Sequence, residues 1–310
     1  MRAIVPLLLA SLLLPACTAP ARAPVVRVPL ADDDLRRLPL YNGDTGRRVD
    51  WSDAAARLAN ADAVLVGEMH GHEVGLPAAA VLFEDTVLRT DTAPALALEF
   101  WERDEQPTID AYLGGDLDRD AFRADRGSQY PPAHERMLEF AKGRGMPVAA
   151  ANAPRRFVRL ARTEGYDHLR TALTDEERAW LVIPERLDEG PYRDRFFEVM
   201  GAMRGHADNT HHGGEDPMVL SFYRAQQVWD ATMADSVASL VDDGHTPTFL
   251  VIGRFHTDYD GATTTRTRDL LPGRSVLTVT FADRDLGLLG LHPGDRGIAD
   301  LVVYTGTSQR

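Results

Sequence analysis

The stretch VLVGEMHGHEV, residues 64–74, sets Glu68, His70 and His72 directly behind a short apolar run. A carboxylate and imidazoles that close together can move a proton, stabilise a developing charge or hold a metal ion. Other apolar runs end in the same manner. One closes on Glu99-Phe100-Trp101, another on Asn152-Ala153-Pro154-Arg155-Arg156, and a third passes through Gly253 into Arg254-Phe255-His256-Thr257-Asp258-Tyr259-Asp260. If these runs are parallel strands, their ends deliver Glu68, His70, Glu99, Asn152, Arg155 and His256 to one edge, where ligands bind in open α/β sheets.

Each of these residues also has a structural reading. Glu68 suits the start of a following helix, and His70 and His72 suit a solvated loop. Glu99 directly follows the buried-looking run ALAL, where an unpaired carboxylate is costly, so an ion pair with Arg155 or Arg156 is expected. Tyr130 in SQYPP and Tyr259 in HTDYD are either haem-iron ligands or turn residues. His206, His211 and His212 lie in a Gly-rich segment after Met200 and Met203, with a spacing that matches no metal motif. No serine has the nucleophile-elbow pattern, and no phosphate-cradling glycine loop is present.

The runs that must position these residues are ADAVLVG (61–67), APALALEF (93–100), MPVAAAN (146–152), TPTFLVIG (246–253), RSVLTVTF (274–281) and DLVVY (300–304). Continuous apolar runs bounded by Gly, Pro or Asp are what strands buried on both faces look like. The expected fold is α/β: a mainly parallel sheet flanked by helices, with a helical cap or insertion at about 155–245. Within that insertion Thr174 and Glu177 have capping-box spacing. A helix over 217–241 aligns Phe222, Gln226, Trp229, Met233, Val237 and Leu240 on one face, and Gln226 needs a polar partner there if it is buried. Residues 51–310 form one expected domain.

The N-terminus reads as an export signal: Arg2, the apolar IVPLLLASLLLPA at 4–16, then Cys17, the one cysteine of the chain. LLPAC resembles a lipoprotein box, with cleavage before Cys17 and an acyl lipid such as palmitate attached there; Thr18 is compatible with sorting to the outer membrane. Residues 17–50, rich in Pro, Ala and charge, are expected to be a lipidated tether and an irregular entry. The formal charge of −13 disfavours a nucleic-acid partner, since phosphate binding requires clustered Lys and Arg. With a single cysteine an internal disulfide is excluded, so stability must come from a large core.

The order GEMHGHE, ALALEFWERDEQPTIDAYLGGDLD, QYPPAHERMLEFAKGRGMPVAAANAPRR, SFYRAQQVWDATMADSV and IGRFHTDYDGATTTRTRDLLP resembles the ChaN-like haem-binding lipoproteins of bacteria. That resemblance implies an α/β fold with a helical cap, an outer-membrane lipoprotein in haem or iron uptake, and haem held in a pocket, with a homodimer enclosing it as one arrangement. Haem-binding residues would then come from His70, Tyr130, Arg155, Arg156, His256 and Tyr259. Kinship with the wider Tiki superfamily, which includes erythromycin esterases and TraB-type proteins, implies an alternative. There Glu68, His70, Glu99 and His256 would be catalytic residues of a hydrolase, with or without a divalent metal.

Overall fold

The computed structural model describes residues 30–126, 132–203 and 216–306. Seven strands form one sheet: β1 (Leu40–Asn42), β2 (Ala63–Glu68), β3 (Ala95–Glu102), β4 (Val148–Asn152), β5 (Thr248–Gly253), β6 (Val276–Ala282) and β7 (Leu301–Tyr304). The order is β1-β7-β6-β2-β5-β3-β4, and every pairing is parallel except that of β1 with β7. The six apolar runs are thus β2 to β7. The extra strand lies in the segment read as irregular entry: three residues, antiparallel at the edge, with Leu40 opposite Val303. So short a strand leaves no periodic signal.

The helices are α1 (Asp32–Leu35), α2 (Trp51–Ala59), α3 (Gly75–Val87), α4 (Gln106–Gly114), α5 (Arg119–Arg126), α6 (Pro132–Gly143), α7 (Arg155–Glu164), α8 (Tyr166–Ala172), α9 (Pro191–Met203), α10 (Pro217–Asp242) and α11 (Ala262–Leu270). Alternate strand residues feed two separate cores. Val64, Val66, Leu96, Leu98, Phe249 and Val251 pack with Leu58 of α2, Phe83 of α3 and Met137 of α6. Ala63, Leu65, Ala97, Leu250 and Ile252 pack with Met233, Val237 and Val241 of α10. With both faces covered, the strands have no polar side, which is why they read as continuous apolar runs.

Between β4 and β5 the described residues hold only helical elements, α7 to α10 and a 3-10 turn at Glu177–Trp180. Thr174 and Glu177 form the expected reciprocal cap, Glu177 Oε2 accepting from the Thr174 N–H (2.9 Å) and Thr174 Oγ1 from the Glu177 N–H (3.2 Å). Helix α10 starts where Asp216 accepts the Met218 N–H (2.8 Å) and Pro217 supplies the first turn. It is buried on most sides, so Tyr223, Gln227, Asp230, Thr232 and Ser236 are interior as well as the apolar stripe. Arg103, just past β3, ties into α10 through Asp235 (2.7 Å), Ser236 Oγ (2.8 Å) and the Thr232 carbonyl (3.0 Å). Among the described residues no helix is long and apolar enough to cross a membrane.

Candidate functional site

The connection leaving β2 leads to β3 on one side of the sheet, and that leaving β5 leads to β6 on the other. Since β2 and β5 are neighbours, the chain parts above their ends and opens a crevice. Glu68 ends β2 and pairs in register with Gly253, which ends β5. Gly253 permits a close approach: a Cβ there would lie 2.9 Å from His70 Nε2 and 3.2 Å from His70 Cε1, so a larger residue would displace the ring.

Glu68 is buried, and its Oε1 takes a 2.6 Å hydrogen bond from His70 Nδ1. Its Oε2 is also buried and has no hydrogen-bond partner among the described residues. The His70 side chain is 70 % exposed. The Glu68 hydrogen bond raises the His70 imidazole to about 9 against the cost of burial, with the charges of Glu99 and Glu68 adding to the rise. His70 is therefore cationic at neutral pH, with its Nδ1–H committed to Glu68 and its Nε2 lying over Gly253 at the end of β5.

Glu68 does not cap α3. His72 does so, its Nδ1 accepting the N–H groups of Gly75 (2.8 Å) and Val74 (3.2 Å), while Nε2 faces Thr305 Oγ1 at 3.4 Å. Of the two histidines, one is structural and the other faces the crevice.

Glu99 does not meet Arg155 or Arg156. Its Oε2 accepts the Gly253 N–H (2.6 Å), and Oε1 lies 3.7 Å from His256 Nε2. Between Leu98 and Glu102 the pairing of β3 with β4 shifts register, which sets Glu102 opposite Asn152. Glu102 thereby receives the Arg155 N–H (3.0 Å) and its guanidinium (3.3 Å), and Arg156 pairs with Asp104. Both arginines remain well exposed. Asn152 fixes the turn, its amide donating to the Glu99 carbonyl (3.1 Å) and its Oδ1 accepting from the Ala153 N–H (2.9 Å).

His256 arrives on a short 3-10 turn, Arg254–His256, directly after β5. It is buried and its Nδ1 is 2.6 Å from Oδ1 of Asp230 on α10. Burial pushes this imidazole down, but the charge and hydrogen bond of Asp230, with Glu99, hold it above its ordinary value. Asp230 is itself wholly buried and accepts from Thr263 Oγ1 (2.7 Å) and the Tyr192 hydroxyl (2.9 Å). Gln226 finds its partner here, donating to the Tyr192 oxygen (3.0 Å) and lying 3.2 Å from His256 Nδ1.

Sequence reasoning missed Asp230, Tyr192, Thr263 and His134. The last is on α6, buried, with its ring 5.9 Å edge-on to Phe100 and neither nitrogen hydrogen-bonded among the described residues. Burial pulls its imidazole down to about 4, partly opposed by Glu68. Only the polar interruption at Gln226 hinted that α10 carries a buried polar cluster.

Tyr259 sits in a left-handed backbone conformation (φ 54°), its hydroxyl donating to the Gly294 carbonyl (2.7 Å) and its ring 5.5 Å from the Arg195 guanidinium. Cys17, Tyr130, His206, His211 and His212 lie outside the described residues. Among the described residues no three His, Cys, Asp or Glu side chains are grouped to hold a metal ion, so the divalent-metal expectation finds no support.

The fold resembles that of ChaN of Campylobacter jejuni, a structure described as cofacial haem binding: TM-score 0.64, 14 % identity, covering 86 % of this chain and 96 % of that one. More distant are a mutant of the erythromycin esterase EreC in its open conformation (TM-score 0.43, 13 % identity, 87 % and 84 % covered) and the toxin effector domain RRSP of Vibrio vulnificus (0.42, 15 %, 84 % and 40 %). No curated protein matches the sequence. The model of a family described as haem-binding uptake, Tiki superfamily, ChaN matches residues 54–266, well over half of the chain. The chain belongs to that family.

Proposed function

We propose that the protein binds haem as cargo for uptake or handling at the cell envelope, with His70 as the iron ligand. The observation that carries this reading is the Glu68–His70 pair. A buried carboxylate holds Nδ1 while the side chain stays largely exposed at the ends of β2 and β5, and metal-binding histidines commonly donate their other ring N–H to a carboxylate in this way. The donor chemistry fits haem: loss of the Nε2 proton yields a neutral ligand whose Nδ1–H still donates to Glu68. Iron is what bound haem supplies. The exposed guanidinium groups of Arg155 and Arg156 suit propionates, though each already has a carboxylate neighbour. Tyr130, His256 and Tyr259 complete the set of candidate contacts, His256 being the least accessible because it is buried and engaged by Asp230.

The same reading includes export, cleavage before Cys17, and anchoring through an acyl lipid at the outer membrane, supported by IVPLLLASLLLPAC. It includes a homodimer as the assembly that would enclose haem. Titrating haemin into the chain lacking residues 1–17 tests the binding: a saturable, stoichiometric Soret shift supports it, and a shift that never saturates rejects it. Mass measurement on the loaded protein reports the dimer.

A second reading is favoured by one feature, the buried Asp230–His256 pair aimed at Glu99. A carboxylate on Nδ1 with a second carboxylate beyond Nε2 is a geometry for proton transfer, which haem retention does not need. In this reading Glu68, His70, Glu99 and His256 hydrolyse an ester or related bond. Turnover of an ester panel that disappears in Glu99→Gln and His256→Ala supports it; turnover unchanged in both variants rejects it.

A further inference from the structure

Away from the strand ends, Arg224 and Gln227 stand three residues apart on α10 and so share a face of that helix. Gln227 is wholly buried, and its Oε1 accepts from Arg266 Nη2 of α11 (2.9 Å) and from the Asp188 N–H (3.2 Å). Those two donors fix which end of the amide is which, since turning it over would set N–H against N–H. The amide nitrogen, Nε2, is then left buried without a hydrogen-bond partner among the described residues, and so are Arg224 Nε and Arg266 Nε. Buried donors ordinarily have acceptors, so three orphans on neighbouring side chains call for one.

The charge at this place is positive, in a chain whose formal charge is −13. Asp188 pairs with Arg266 (2.8 Å), and Asp230 is committed to His256, Thr263 and Tyr192. Arg224 gives Nη2 to the Arg162 carbonyl (3.2 Å) and has no carboxylate partner among the described residues. The Tyr166 hydroxyl of α8 donates to the Arg224 carbonyl (2.9 Å). Burial raises this phenol; the charges of Arg266 and Arg224 both pull against the rise, and those of Asp188 and Asp230 add to it. The two guanidinium groups therefore lie around one spot between α8, α10 and α11.

We propose that this cluster binds a small oxyanion of the phosphate type, at a site separate from the crevice and independent of the haem reading. An oxyanion supplies both things the cluster lacks, several acceptor lone pairs and a negative charge, and guanidinium and amide N–H groups take it up with no proton changing place. A carbonyl or hydroxyl ligand would satisfy a donor and leave the charge unanswered. The Arg266 side chain is 21 % exposed and Arg224 is half-buried, so the guanidinium ends give access from solvent. Bound there, the anion joins Arg224 and Gln227 of α10 to Arg266 of α11, tying the helical insertion to the helix that follows β5. Loading therefore stabilises the fold by mass action.

The test titrates inorganic phosphate into the chain lacking residues 1–17, at neutral pH and constant ionic strength, with chloride in its place as the control. Calorimetry is expected to give saturable binding, and the unfolding midpoint to climb as phosphate increases. Arg224→Lys and Arg266→Lys keep the charge but lose the planar fork and its Nε donor, and each lowers phosphate affinity at least tenfold. No saturable heat, or an affinity unchanged in both variants, overturns the proposal. Binding that survives both but is lost in Arg155→Gln locates the anion in the crevice and also overturns it. Should a lysine variant fail to fold, NMR of the unaltered chain decides: the side-chain N–H resonances of Arg224, Gln227 and Arg266 shift as phosphate is added, and resonances that stay in place overturn the proposal.

Discussion

Asp230→Asn removes one charge from the interior and exposes how the site is held. Asp230 is wholly buried and takes three hydrogen bonds, from His256, Thr263 and Tyr192. Asparagine keeps the size but loses the charge, leaving a buried imidazole with only Glu99 at 3.7 Å to favour its cation. Breaking one side of a buried ion pair costs about 3–5 kcal/mol. The pH dependence follows from the direction of the His256 shift. In the native chain its pKa is raised above the unfolded value, so its stabilisation is fully present below about pH 6.5 and is lost as pH rises through the folded pKa. In the variant burial dominates, the folded pKa drops below the unfolded one, and acid destabilises. The loss of stability is therefore larger at about pH 5 than at about pH 8. Urea unfolding at both pH values, with the His256 ring resonances followed by NMR, measures this. A loss below about 1 kcal/mol at both, or an unchanged pH slope, refutes the reasoning.

Other consequences are simpler. Glu68→Gln removes the hydrogen-bonded anion that raises His70, so its imidazole, at about 9 in the native chain, falls toward about 6.5; an NMR titration that still places it near its native value contradicts the pairing. Gly253→Ala inserts a methyl against His70 Nε2, so haemin affinity falls at least tenfold, about 1.4 kcal/mol, while unfolding stays cooperative; unaltered affinity means the ring does not occupy that position. His72→Ala uncaps α3 and costs about 1 kcal/mol of stability, with haemin binding unchanged; a binding defect would make His72 part of the site.

The six long strands were legible because both faces are buried and the apolar runs are unbroken. The three-residue β1 was not, since Leu40 and Tyr41 stand alone in a segment dominated by proline and charge. The strand-end residues were found for a topological reason, that parallel strands present their ends together. Their partners were not. The register shift in β3 that gives Arg155 to Glu102 leaves no mark in the composition. Asp230 stands four residues after Gln226 and three before Met233, at the margin of the apolar stripe, but its partners Tyr192 on α9, Thr263 on α11 and His256 after β5 are distant in sequence and meet it only in the fold. The sequence suits Glu68 to the start of α3 and His72 to a solvated loop; geometry decides for His72 because Glu68 ends the strand inside the sheet.

The central claim is that His70 holds haem iron in the crevice above β2 and β5. Haemin titration of the chain lacking residues 1–17, compared with His70→Ala and with Tyr259→Phe, tests it most directly. The account expects a saturable Soret shift that His70→Ala abolishes and Tyr259→Phe leaves in place. Saturable binding that survives His70→Ala, or that is lost with Tyr259→Phe alone, would contradict it.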